Sequence, residues 1–248
     1  MRMRRLVGLM LGAVLVVPRL ASAQVLNAPD PSVASPQLSH IQLEPEPVVE
    51  GAVEPAATGF QLGLELGYAL PLGHADGFTN QSDLFSGQVP LVLHLDFKPT
   101  AHLGVGWYGG LGVGLGSNTP PSGCGLPEVT CVATQVRLGF EAQASFLPSK
   151  QVNPYVSVGI GLESSGLSAT SGKDSGHLGV VGPEGHLTFG TDRRFSREVG
   201  VGPFVTLAFG EYTSFTLDSG DNRSSSRAVA EKAVHEWVTF GLRLTACR

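Results

Sequence analysis

Nine ionisable side chains share one side of an alternating pattern in this sequence: Glu65, His94, Asp96, Arg137, Glu141, Glu163, Glu184, His186 and Arg243. Charges gathered where water is scarce must pair or change protonation, because an isolated buried ion costs too much to desolvate. Two chemistries fit the set. In one, Arg137 and Arg243 are each shared among carboxylates and the group is a structural network. In the other, five acids against two arginines leave an excess of charge for water to solvate, and the face lines an ion path. Tyr108, Tyr155, Phe204 and Trp237 carry the same parity and weigh toward a filled interior.

Other candidate sites carry less. Gly104 to Gly109 reads GVGWYG and spells GxGxxG, but it sits inside an alternating stretch and precedes no helix, so it is not read as a dinucleotide loop. The histidines show no pair at metal-ligand spacing, so neither a metal nor a cofactor is expected. Asn80-Gln81-Ser82 and Asn222-Arg223-Ser224 match glycosylation sequons and carry little weight.

The elements that must position these residues are strands. Residues 59–72 read GFQLGLELGYALPL, with Phe60, Leu62, Leu64, Leu66, Tyr68, Leu70 and Leu72 on every second position and small or polar residues between. A period of two puts alternate side chains on opposite faces of a strand. The pattern recurs at 89–97, 103–115, 135–146, 155–163, 181–189, 199–209 and 237–244. Its greasy side includes Leu93, Leu95, Val113, Leu138, Phe140, Val158, Ile160, Leu207, Phe240 and Leu242. Pro183 interrupts the sixth segment, as at a bulge or a gap in pairing.

Connections alternate long and short. The long ones cover about 74–88, the Cys-bearing stretch after 115, 164–176 and 213–233, the last ending in SRAVAEKAV, which is read as a helical turn or two. The short ones include 98–101, a turn with Pro148 and Asn153, and TDRRFSRE before the seventh segment.

Composition separates two ways of closing such strands. Charged residues are 15% of the 248, against about 25% in soluble domains, and the 33 glycines concentrate on the polar side. A water-facing exterior would be rich in Lys, Glu and Thr, whereas small residues with a few charges suit the narrow interior of an eight-stranded barrel. The greasy side therefore faces lipid. Phe60, Phe97, Phe146 and Phe189 gather at one rim, with Tyr68, Phe209 and Trp237 toward the other, as in interfacial girdles.

Ahead of the strands, residues 1–23 carry arginines before an apolar run and end Ala21-Ser22-Ala23, a secretory signal peptide too short to span a membrane. Residues 24–58 hold six prolines and five acids without alternation and read as an extended, disordered tether. Without the signal peptide, 12 basic residues face 21 acids, which disfavours a nucleic-acid partner. In an exported chain Cys124 and Cys131, bracketing GLPEVT, would form a disulfide. Cys247 ends the last strand at the opposite rim, across an apolar band about 25 Å tall, and is expected unpaired.

On this pattern, residues 59–248 resemble the small bacterial outer-membrane β-barrel family of OmpA-like and OmpW-like proteins. The resemblance rests on strand pattern, without a diagnostic motif. It implies an all-β, eight-stranded antiparallel up-and-down transmembrane barrel in the outer membrane, with both ends in the periplasm and four loops outside. Its partners would be outer-membrane lipids, the barrel assembly machinery and an extracellular ligand held by the loops. The chain departs from that family by ending Thr245-Ala246-Cys247-Arg248 where an aromatic residue is usual. The expected role is structural or surface-interacting, and not enzymatic. The alternatives are a small passive channel or transporter of ions or small apolar solutes and, last, a lipid-modifying enzyme. For the last, His186-Leu187-Thr188 is similar to the His-x-Ser arrangement of lipid A deacylases, with Thr in the nucleophile's place and no neighbouring Asn.

Overall fold

The computed structural model describes residues 58–118, 124, 126, 128–172, 174–196, 198–219 and 223–248; the expected signal peptide (1–23) and the tether up to 57 lie outside the described residues. The elements are β1 (Gly59–Gly73), α1 (Gln81–Leu84), β2 (Phe85–Lys98), β3 (Leu103–Gly116), β4 (Thr130–Ser145), β5 (Val152–Ser171), β6 (Asp174–Arg194), β7 (Val199–Glu211), β8 (Ser214–Ser219), β9 (Arg223–Ala228) and β10 (Val234–Cys247). From β1 to β7 each strand pairs antiparallel with the next, and β10 pairs with both β7 and β1. That closes a ring of eight strands and leaves β8 and β9 outside it. Closure removes the unpaired edges that an open sheet would expose.

Each ring strand turns its small and polar residues inward and its large apolar residues outward. Glycine on the inner face makes room for rings. A Cβ at Gly159 would lie 2.3 Å from a ring atom of His186, and one at Gly190 would lie 2.5 Å from the ring of Tyr155. Without those two glycines the lumen could not hold both rings in their places. At the terminal end of the barrel the chain is clasped to itself: Phe60 N–H donates to Arg248 O (3.1 Å), and Arg248 N–H donates to Phe60 O (2.8 Å).

Several segments differ from their sequence-based expectation. Residues 74–88 are not all loop, since α1 and the start of β2 lie there and Gln88 points inward. The stretch 164–176 is not a connection. β5 continues to Ser171, turns at Gly172 (φ +58°) and returns as β6, pairing Ser164 with Val181 through Ser171 with Asp174. The helical turn expected in SRAVAEKAV is also absent, because Arg223–Ala228 is β9, the outer strand of a hairpin that β8 docks on β6. These strands stand outside the closed ring, so the inward and outward faces that its eight strands share do not extend to them.

Strand ends shift as well. β6 runs through Arg194, bringing Asp192 and Arg194 inside, and Asn153 belongs to β5, where its Oδ1 accepts from Leu147 N–H (3.0 Å). Pro183 does mark a gap. β6 pairs with β8 up to Val181 and with β7 from Glu184 onward, and Pro183 falls between the two partners. Trp237, whose parity put it with Tyr108, Tyr155 and Phe204 while its place in the strand put it toward a rim, points inward and is 2% exposed. It carries an apolar cluster of Leu84, Phe85, Leu167, Val180 and Tyr212 that caps the end of the barrel away from the termini.

Candidate functional site

All nine ionisable residues singled out in the sequence point into the lumen and are buried. They form three groups. In the first, His94 lies between two carboxylates, with Nε2 3.3 Å from Glu65 and Nδ1 in contact with Glu141. Glu141 also faces His186 Nε2 at 3.6 Å. Arg243 reaches Glu65 at 3.9 Å and Asp96 at 3.8 Å, with its guanidinium 4.5 Å above the ring of Tyr155. Arg243 therefore lies within ion-pair range of two carboxylates.

Among the described residues Arg137 meets one carboxylate, Glu184: its Nε donates to both oxygens (2.9 and 2.7 Å), and an Nη lies 2.6 Å from one of them. Planar pairing of this kind gives orientation as well as charge balance. Tyr108 completes the second group, donating its hydroxyl to Glu184 (2.9 Å) and meeting the ring of His186 edge-on at 4.6 Å.

The third group is centred on Glu163. Its carboxylate accepts from Gln135 Nε2 (2.9 Å), Ser165 Oγ (2.7 Å), Tyr212 OH (2.9 Å) and Trp237 Nε1 (3.1 Å), and it meets His235 Nε2 at 3.1 Å. Gln81, delivered by α1, donates to Tyr212 OH (3.3 Å). Tyr212 lies past the end of β7, outside the spanning strands. Burial, and then the neighbouring Glu163 charge, push its phenol well above the usual tyrosine range, so it stays a donor. The sequence reading singled out neither Tyr212 nor His235. Both continue an inward parity already visible in their strands, Gly210 to Tyr212 and Trp237 back to His235.

Between the first two groups lies a cavity of about 20 Å³, bounded by Glu65, His94, Tyr108, Arg137, His186 and Phe204. That is room for about one water molecule. The arrangement is a packed polar core in which His94 and His186 face Glu65 and Glu141, while Asp96 meets Arg243 at 3.8 Å with no hydrogen bond to either of its oxygens among the described residues. His186 faces Glu141 and Tyr108 here, and Thr188 shares a hydrogen bond with Thr206 (2.8 Å). Cys124 and Cys131 form a disulfide, while Cys247 is free and donates to Gln61 Oε1 (3.4 Å).

The exterior is the inverse. Leu62, Leu64, Leu66, Leu93, Leu95, Val113, Leu138, Phe140, Val158, Ile160, Leu207, Phe240 and Leu242 all point outward, exposed by 38% (Leu64) to 72% (Ile160). Water does not support so continuous an apolar belt around a charged interior, and lipid does. The chain is a transmembrane β-barrel. Among the described residues no helix is long and apolar enough to cross a membrane.

No family model matches the sequence, and no curated protein matches it. Solved structures share the shape. Neisserial surface protein A is 10% identical with a TM-score of 0.45, over 75% of this chain and 96% of that one. A major outer membrane protein from Thermus thermophilus is 9% identical with a TM-score of 0.48, over 75% and 99%. The outer membrane protein OprG from Pseudomonas aeruginosa is 12% identical with a TM-score of 0.43, over 79% and 100%. These are likenesses of outline; the barrel reading of this chain stands on its own register, closure and surface.

Proposed function

We propose that this chain is an exported barrel of the bacterial outer membrane with a structural or surface-interacting role and a lumen that does not conduct. One observation carries the reading: the lumen is occupied by inward-pointing side chains, and the cavity between the group of Glu65, His94 and Glu141 and the pair of Arg137 and Glu184 has space for about one water. Ion passage would require breaking the Arg137 and Glu184 pair or displacing Tyr108 and Phe204. The loops beyond β1 and β3 and the two hairpins that rise past the ring would face outward and meet an extracellular ligand. The termini, with the tether, would lie in the periplasm, and β10 would be the strand that the barrel assembly machinery engages. No enzymatic step is assigned.

Single-channel recording of the purified barrel in planar bilayers tests the proposal. A flat trace across applied voltage is the expected result, and reproducible unitary steps would overturn it. Amino-terminal sequencing of outer-membrane material beginning at Gln24 would support the export route.

A further inference from the structure

A second cavity lies outside the lumen, at the end away from the termini. The loop after β1 supplies Phe78 and Leu84, β6 supplies Leu178 and Val180, β8 supplies Phe215, and Val229 closes the far side. Its volume is about 460 Å³, inside the range of roughly 300–1,000 Å³ typical of small-molecule sites.

Leu84 and Val180 are buried in the apolar cluster carried by Trp237, and Leu178, Phe215 and Val229 pack against that cluster. The walls are stitched together. Gly77 N–H donates to Glu231 O (2.9 Å), His74 N–H to Val234 O (3.0 Å), Val229 N–H to Thr213 O (3.0 Å) and Thr213 N–H to Val181 O (2.9 Å). Asp76 accepts from the amides of Phe78 (2.8 Å) and Thr79 (2.7 Å), which fixes the turn carrying Phe78. Phe78 itself stands at the lip, 84% exposed. A preformed apolar cavity with an uncovered aromatic lip binds at low ordering cost.

Charge and lining select differently. Asp76 and Glu231 outnumber Arg227 on the lining, which disfavours an anion, and the walls of Phe78, Leu84, Leu178, Val180, Phe215 and Val229 offer no partner to a charged group of either sign. We propose that this cavity binds a neutral, mostly hydrocarbon small molecule carrying no more than a hydroxyl or carbonyl group. Because the lumen beside it is filled, the ligand enters and leaves through the mouth. This binding site goes beyond the structural reading and does not depend on whether the lumen conducts.

The test uses the full barrel in lipid nanodiscs and a diazirine-bearing derivative of decanol, with photolabelled peptides mapped by mass spectrometry. Outward-facing Phe140 reports probe that is merely dissolved in the bilayer. Labelling of the Phe78 and Phe215 peptides is expected to saturate and to be displaced by decanol. It should fall about tenfold in Ala230→Trp, where an exposed residue on the cavity wall is enlarged to fill the space. Ala230→Ser should retain it, and Phe140 labelling should be unchanged in both variants. Labelling at Phe78 and Phe215 that fails to saturate, or that survives Ala230→Trp, overturns the site. Displacement by decanoate at about tenfold lower concentration than by decanol overturns the neutral ligand class.

Discussion

Tyr212 lies flat on His235, ring centroids 3.8 Å apart and planes 10° from parallel, and both side chains turn their polar atoms to the carboxylate of Glu163. Strands far apart in sequence meet at that carboxylate, which has no exposed surface. Glu163→Gln removes the charge its donors converge on and sets an amide N–H₂ against them. The expected cost is about 3 kcal/mol, the scale for breaking a buried pair on one side. The temperature at which the folded barrel converts to the slower-migrating form on a gel should fall. Adding His235→Gln to that variant should recover part of the loss, since the two side chains are coupled.

Enlarging the seat of a lumen ring is the second test. Gly190→Ala pushes against Tyr155, whose ring also carries Arg243, and should destabilise by about 1–3 kcal/mol through overpacking. At Gly176, in the hairpin beyond the ring, a Cβ meets nothing closer than Asp218 O at 3.8 Å. Gly176→Ala should therefore stay within about 0.5 kcal/mol of the parent. Urea midpoints for folding into vesicles would separate the two.

The thiols are predicted to divide two and one. Under denaturing conditions without reductant, maleimide should add once, at Cys247, and after reduction three times. Replacing Cys124 and Cys131 by serine should cost about 2–3 kcal/mol, the chain-entropy value for so short a ring. The loss should show as faster hydrogen exchange around Val129 and Thr130.

On the outer wall, Leu138 sits midway along the apolar run of β4 and is 57% exposed. Leu138→Arg should cost about 2–4 kcal/mol in a bilayer, as for a basic residue near the midplane. Leu138→Phe should be close to neutral. Folding equilibria in vesicles measure both.

Opening the filled interior should create the conductance that the parent lacks. Tyr108→Ala with Phe204→Ala removes two rings bordering the 20 Å³ cavity. Fluctuating conductance is expected from the double variant in planar bilayers, against a flat parent trace. Silence from both would place the block at the apolar cap around Trp237 instead.

The inside and outside of the wall were legible in the sequence. Lipid on one face and a narrow interior on the other leave no freedom at alternate positions, so a run as short as Val136, Leu138 and Phe140, with Arg137 and Gly139 between, already shows the period. Parity also assigned Glu65, His94, Asp96, Arg137, Glu141, Glu163, Glu184, His186 and Arg243 to one compartment. The same rule was silent on β8, β9 and the outer halves of β5 and β6. Beyond the ring those strands are rich in Ser, Gly and Thr, and the few apolar residues they bury, such as Leu167, Val180 and Phe215, pack on the cap around Trp237 without a sustained period of two.

Partnership was decided only by the tertiary structure. Parity says that Arg137 and Glu184 both point inward, but whether Arg137 reaches Glu184 or Glu163 depends on strand tilt and stagger around the ring, which no single strand encodes. In register Arg137 stands opposite Glu163, yet its guanidinium lies on Glu184. Glu163 is thereby left to Tyr212, His235 and Trp237, and the mouth is sealed by groups that meet only once the barrel has closed.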